Sequence, residues 1–226
     1  MPELTATQVA DRLDVTRQHV LGMLRAGRIA GRRLPNGVWL VDSDAVARFE
    51  LAAQRRSGRS LQPSTAWGLL WELSGLRADW LTESTRARVR RRIRDSSAEE
   101  LTRAVSSRTT SHRYASANAE RAQAGLIATG RAAADVLEVE LLPDSRRVAG
   151  YVRNGTPDDY ASTHFMVADE NGPDVIYENT LPVDYDGETM PAAVVAVDLA
   201  TSVDTRERTI ALRVVEELRR AWLAER

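Results

Sequence analysis

Residues 4–49 read LTATQVADRLDVTRQHVLGMLRAGRIAGRRLPNGVWLVDSDAVARF, and the spacing of caps, turns and apolar positions in this stretch decides the fold. Thr5 or Thr7 can cap a first helix, because a hydroxyl there accepts an otherwise orphaned backbone N–H. Val9, Ala10 and Leu13 then recur on one face, so the helix runs to about Leu13. Asp14-Val15 makes a turn, with Val15 as the apolar residue between two helices. Thr16 caps a second helix that stops at Gly27, a residue suited to the left-handed position after a helix. On a wheel of about 100° per residue, Val20, Met23 and Leu24 cluster on one side with Leu21 at its edge. Gln18, Gly22 and Arg25 fall opposite, and Arg17 and His19 flank the exposed face near the N-terminus.

Residues 28–41 read as a hairpin, with strands over 29–34 and 38–41 joined through Pro35-Asn36-Gly37. Asn-Gly is a favoured two-residue turn because both positions tolerate positive φ. Ser43 is read as the cap of a third helix, in which Val46 and Phe49 return to the core. Gly22 stands out because Gly inside a helix costs about 1 kcal/mol relative to Ala. Either a close approach of a DNA backbone or tight packing would account for it.

Two helices joined by a tight turn, followed by a basic hairpin, form an assembly that can lay one helix in the major groove of duplex DNA. Between Val15 and Val41 there are five Arg and no acidic residue. The candidate DNA contacts are Thr16, Arg17, Gln18, His19 and Arg25 on the second helix, Arg28 after it, and Arg32 and Arg33 on the hairpin.

These residues carry a resemblance. Leu4-Thr5, Val9-Ala10, Leu13, Val15-Thr16-Arg17, Val20, Gly27, the Arg-rich hairpin, and Asp44 with Phe49 resemble the excisionase-like and MerR-like winged helix-turn-helix family over about the first fifty residues. The resemblance implies binding to duplex DNA, with the helix that starts at Thr16 in the major groove and the hairpin as a wing. Asp14 departs from the family, which usually has Gly there, but Asp tolerates the left-handed conformation. Such modules also serve as protein-docking units, a role against which the uncompensated Arg cluster argues.

Outward from this module, residues 54–64 (QRRSGRSLQPS) read as a linker. The organisation expected is a DNA-binding domain over 1–53, the linker, and a domain over 65–226. Residues 65–105 read as helical, with Trp67, Leu70, Trp71 and Leu73 on an apolar face that is either a core or a dimer seam. Trp80-Leu81 opens the next element. Residues 83–95 hold six Arg around a narrow stripe of Val89 and Ile93. They are either a solvated face paired with nearby acids or a further polyanion or acidic-partner contact. A helix is expected over 119–128, stopping at Gly130. Strand pairs are expected for 137–142 with 148–152, around Pro143-Asp144-Ser145, and for 164–167 with 174–177, around Asn171-Gly172. Residues 192–199 are ambiguous between strand and helix. Residues 205–225 are a helix with Ala211, Val215, Leu218 and Trp222 on one face. The fold class expected is α+β: an N-terminal winged helix-turn-helix, a helical segment, and an α+β C-terminal domain.

Charge and composition narrow the chemistry. The chain of 226 residues has net charge −1, yet residues 1–150 carry 24 Arg against 17 acids, and residues 151–226 carry 7 Arg against 15 acids. A basic front suits a polyanion. Every basic residue is Arg, which excludes a Walker A lysine and a Schiff-base amine. No Cys is present, so disulfides and thiolate metal sites are excluded. His19, His112 and His164 have no metal-type spacing. Asp184 and Asp186 flank Tyr185 before Gly187, but the calcium-loop pattern is missing. No nucleophile elbow or phosphate loop occurs, so no enzyme activity and no cofactor is expected. No apolar run approaches the roughly 20 residues of a membrane span; a cytoplasmic location without membrane association is the simplest expectation.

The order of elements carries a second resemblance. A DNA-binding module precedes SRTTSHRY, GLIATGRAAA and a strand-rich stretch, and the chain closes with PAAVVAVDLATSVDTRERTIALRVVEEL. This looks similar to antitoxins of the AbiEi type, which implies autorepression and a nucleotidyltransferase toxin as partner. That family's usual N-terminal module is a different winged-helix variety. The leading reading is a sequence-specific double-stranded DNA-binding transcriptional regulator, a repressor, acting as a homodimer. An antitoxin, a ligand-sensing regulator and a recombination directionality factor stay open as alternatives.

Overall fold

The structure, a computed structural model, describes residues 3–56, 60–139, 141 and 146–225, with residues 51–56 described by their backbone alone. The chain divides into two units, Met1–Ser57 and Gly58–Arg226.

In the front unit, local signals place the helices. Strand β1 (Glu3–Thr5) leads into α1 (Ala6–Leu13). The Thr5 hydroxyl accepts the Gln8 N–H at 3.4 Å, and Gln8 Oε1 accepts the Thr5 N–H at 2.8 Å, so two orphan donors are satisfied reciprocally. Helix α1 ends at Asp14, which takes the left-handed conformation at φ 51° and ψ 49°. Thr16 caps α2 (Arg17–Arg25) by accepting the His19 N–H at 3.3 Å. Gly27, at φ 66°, turns the chain away from α2.

The hairpin is shorter than its sequence suggests. Only β2 (Arg32–Arg33) pairs with β3 (Trp39–Asp42), through Arg32↔Leu40 and Arg33↔Trp39. Ile29 is buried instead of alternating on a ladder, and Gly31 lies so close to Leu24 that a Cβ would meet its side chain at 2.8 Å. The other flank of β3 is taken by β1, a strand not anticipated from sequence, which gives the order β1-β3-β2. Helix α3 (Ser43–Arg56) follows directly. Asp42, rather than Ser43, provides the cap: its Oδ1 accepts the Asp44 N–H at 2.9 Å. Val9, Val20, Met23, Leu24, Ile29, Val41 and Val46 form this unit's core, with Val15 and Phe49 packed at its margin. The Gln54-Arg55-Arg56 portion of the expected linker is the end of α3; residues 57–59 lie outside the described residues.

The rear unit is mixed helix and sheet, in keeping with an α+β class. Three helices come first: α4 (Pro63–Leu73), α5 (Glu83–Asp95) and α6 (Ala98–Ala104). Strand β4 (Ser111–Ser116), helix α7 (Ala119–Gln123), strand β5 (Ile127–Ala128) and a 3₁₀ helix (Gly130–Leu137) follow. Then come β6 (Ala149–Tyr151), α8 (Pro157–Thr163), β7 (Met166–Ala168) and β8 (Asp174–Tyr177). Helices α9 (Ala192–Leu199) and α10 (Thr205–Ala224) close the chain. The sheet order is β5-β6-β8-β4-β7, with β6 and β8 parallel and the other pairs antiparallel. Trp67 and Trp71 are core residues, edge-on to each other with ring centres 6.2 Å apart, while the indole N–H of half-buried Trp80 donates to the Ser64 carbonyl at 3.1 Å.

Three expectations are overturned here, each by long-range packing. The helix begun at Ala119 stops at Gln123, and Gly130 opens the 3₁₀ helix instead of ending an α-helix. Residues 137–142 form no strand where described: Ala133, Ala134 and Leu137 are buried in the core that also holds α9, and Glu138 turns left-handed at φ 51°. Residues 140 and 142–145, the expected Pro143-Asp144-Ser145 turn among them, lie outside the described residues. Strand β6 pairs with β5 and β8 instead. Lastly, β7 and β8 do not pair with each other, because β4 lies between them, and His164 ends α8 rather than starting a strand.

Candidate nucleic-acid interface

The polar face of α2 follows from what its other face buries. Val20, Met23 and Leu24 are in the core, which leaves Arg17, Gln18, His19, Gly22 and Arg25 exposed. Thr16 is exposed as well, with its hydroxyl accepting the His19 N–H. The first turn of α2 contains no acid and begins with Arg17. The positive end of the helix dipole is thus uncompensated by a side chain, an arrangement that favours an anion. At Gly22 an added Cβ would meet no atom within 4 Å. Tight packing within the chain is therefore not the reason for this Gly.

The remaining candidates are exposed but differently engaged. Arg28 lies over the Phe49 ring, 6.0 Å from its centre, a modest cation–π contact. Arg33 lies beside the turn at Gly37, whose added Cβ would stand 3.7 Å from Nη2. Arg17, Arg25, Arg28 and Arg33 make no ion pair among the described residues. Arg32 does: its Nε and Nη2 donate to the two Glu3 carboxylate oxygens, both at 3.0 Å. The hydrogen bond from Arg32 holds the Glu3 carboxyl below its ordinary range, and Glu3 raises the Arg32 guanidinium in return. Sequence reading missed this partner because Glu3 reaches Arg32 only through the pairing of both β1 and β2 with β3. Arg12 is also held, bidentate to Glu50 at 3.0 and 2.9 Å, and ties α1 to α3.

In the rear unit the Arg-rich α5 faces two ways. Val89 and Ile93 are buried, as is Arg86, which lies among Glu72, Asp79 and Glu83 at 4.0, 3.9 and 3.4 Å. Arg90 donates to the buried Glu72 at 3.0 Å, and Arg91 pairs with Asp95 at 3.4 Å. Arg88 and Arg94 are exposed. A second polar cluster is wholly interior. Arg108 is hydrogen-bonded to Asp198 and, at 2.8 Å, to the Tyr151 hydroxyl. Tyr151 and Thr129 donate to the other Asp198 oxygen at 2.9 and 2.7 Å. Burial opposes the Arg108 charge, but Asp198 and Tyr151 more than compensate, so its pKa is raised; burial pushes the Tyr151 hydroxyl well above its ordinary value. These groups tie β6 to α9, which is a structural role, although the buried Arg108 Nε has no hydrogen-bond partner among the described residues.

The other residues singled out in sequence are dispersed. His112 faces Glu178 at 3.4 Å on β4, and His164 stacks on Tyr160 with ring centres 4.0 Å apart. Asp184 and Asp186 are exposed on either side of Tyr185, whose hydroxyl donates to the Thr189 carbonyl at 2.7 Å. Among the described residues, no three His, Asp or Glu side chains converge as a metal ion would require, and no helix is long and apolar enough to cross a membrane. Compared with family models, with curated proteins and with solved structures, the chain finds no match.

Proposed function

We propose that this chain is a sequence-specific double-stranded DNA-binding regulator, a repressor, whose front unit is a winged helix-turn-helix with α2 as the groove helix and β2–β3 as the wing. The observation that carries the reading is the exposed face of α2. Arg17, Gln18 and His19 on its first turn offer donors suited to base edges, and Gly22 in the next turn leaves room for a backbone to come close. Arg25, Arg28 and Arg33 surround that face with positive charge that no acid of the chain neutralises in an ion pair among the described residues. Arg32 can add to it by exchanging Glu3 for a phosphate. A protein-docking role would not call for this charge. The repressor reading rests on occupancy, because a protein seated on a duplex excludes others from the same site.

Selection from a random duplex library tests the reading. The intact chain should enrich one short motif. Arg17→Ala with Gln18→Ala should lower discrimination between that motif and random duplex by roughly 10- to 100-fold, about 1–3 kcal/mol, with non-specific binding largely retained. Arg33→Ala should weaken binding to all sequences and reduce the salt slope by about 0.9. Failure to enrich any motif, or unchanged discrimination in the double variant, rejects α2 as the reading helix.

A further inference from the structure

Strand β7 (Met166–Ala168) is the last strand of the five-stranded sheet, and β4 is its one strand neighbour among the described residues. The ladder fixes which backbone groups face outward. Val167 sits opposite Ala115, and the Asp169 N–H crosses to the Arg113 carbonyl at 3.1 Å. Val167 therefore turns its N–H and C=O towards β4, and Met166 and Ala168 turn theirs to the open side. Along the same edge stand the two most exposed large apolar side chains described, Phe165 at 75% and Val167 at 68% accessible. Phe165 also has φ 55°, a left-handed conformation that is strained for a bulky residue. It belongs to none of the apolar clusters formed by the described residues, which therefore offset neither feature.

We propose that β7 pairs with β7 of a second copy of this chain, antiparallel about a two-fold axis at Val167, so that the two five-stranded sheets become one continuous sheet. Residue numbers facing one another across this axis sum to a constant, and the outward groups of Met166 then meet those of the second copy's Ala168 in hydrogen-bonded pairs. Val167 meets its own copy in the intervening non-hydrogen-bonded pair, where Cα atoms approach to about 4.5 Å and side chains touch. Val167 of one copy thus covers Val167 of the other, and Phe165, one residue before the strand, stands at each end of the contact. Hydrogen bonding selects the same register: centred on Val167, the axis lets both outward-facing residues, Met166 and Ala168, pair across it, whereas centring it on either of them would pair only that one. Edge strands are ordinarily guarded by shortness, an inward charge, a Pro or a bulge; β7 is short, at three residues, but residues 165–168 contain no charge and no Pro. The two phenyl rings bring on the order of 300 Å² of apolar surface. The whole contact stays below the ~1,200 Å² of standard complexes, so the dimer is weak and reversible.

The inference stands without the DNA reading, and its test uses no DNA. The chain contains no Cys, so Val167→Cys introduces a single thiol. Across the proposed axis the two Cα atoms lie within disulfide reach. Sedimentation of the intact wild-type chain at ~100 µM should show a concentration-dependent dimer. Under mild oxidation the Val167→Cys variant should cross-link at least about tenfold faster than a Glu99→Cys control, an exposed site on α6. Phe165→Asn, which suits the left-handed backbone, should weaken the dimer while its Tm does not fall. Val167→Asp should be monomeric with an unchanged circular dichroism spectrum. A wild-type chain that remains monomeric at ~100 µM, or one whose Val167→Cys variant links no faster than the control, overturns the proposal.

Discussion

Gly22 is the position at which stability and the proposed DNA contact make opposite demands. It is exposed in the middle of α2, and a methyl group there would touch nothing within 4 Å. The fold alone would favour Ala, since Gly in a helix interior costs about 1 kcal/mol in backbone entropy and exposed peptide. Gly22→Ala should therefore stabilise the front unit by about 0.5–1 kcal/mol, read from its denaturant midpoint, and weaken binding to duplex DNA through the lost close approach. Stabilisation with undiminished binding would mean that no DNA backbone lies over this turn. Other single residues were legible for a local reason. Thr5, Thr16 and Gly27 act within four residues of themselves; sequence alone placed the cap of α2 at Thr16 and left that of α1 between Thr5 and Thr7. The engagement of Arg32 by Glu3, 29 positions away, had no such signal.

At the scale of elements, periodicity carried the helices, and non-local pairing concealed the sheet. Helix α10 was readable because Ala211, Val215 and Trp222 recur at turn spacing and are buried as a stripe. Strand β5 was hidden because two residues give no countable alternation; β6 falls within the expected 148–152, but its partners carried no local signal, and β4 enters between β7 and β8 from fifty or more positions upstream. Helix α9 held one clue that went unread: a single Asp198 in the otherwise apolar run AAVVAVDL. A carboxylate at that place needs a buried cation, and Arg108 is that cation. Asp198→Asn keeps the shape but leaves the Arg108 charge without its anion. It should destabilise the rear unit by about 3–5 kcal/mol in urea unfolding. Arg108→Met combined with Asp198→Leu should cost less than the single change, because removing both charges removes the desolvation penalty. Equal or additive losses would show that the cluster is held by something other than the ion pair.

Among the described residues the apolar core of the front unit, with Val9, Val20, Met23, Leu24 and Val41, shares no residue with the two of the rear unit, a larger one around Trp67, Leu70, Tyr151 and Val195 and a smaller one around Tyr114, Val152 and Ile176. The first is small. A unit of fewer than sixty residues buries a smaller fraction of its surface than one of nearly three times its length, so its margin against conformational entropy is narrower. Calorimetry of the intact chain should therefore resolve two transitions, the front unit melting first. Duplex DNA that binds the folded α2 face must then stabilise that transition by mass action, by about 2.7 kcal/mol at a hundredfold excess over Kd. The later transition should respond instead to chain concentration, because the proposed β7 pairing links folding of the rear unit to association. The cross-terms separate the two proposals. Arg17→Ala with Gln18→Ala should abolish the preference for cognate over random duplex in the first transition and leave the second concentration-dependent. Val167→Asp should remove the concentration dependence of the second and leave the response of the first to DNA in place, reduced to the extent that two front units bind one duplex together. If cognate duplex shifts only the later transition, the DNA contact lies in the rear unit, and the exposed Arg residues of α5, not those of α2, become its carriers.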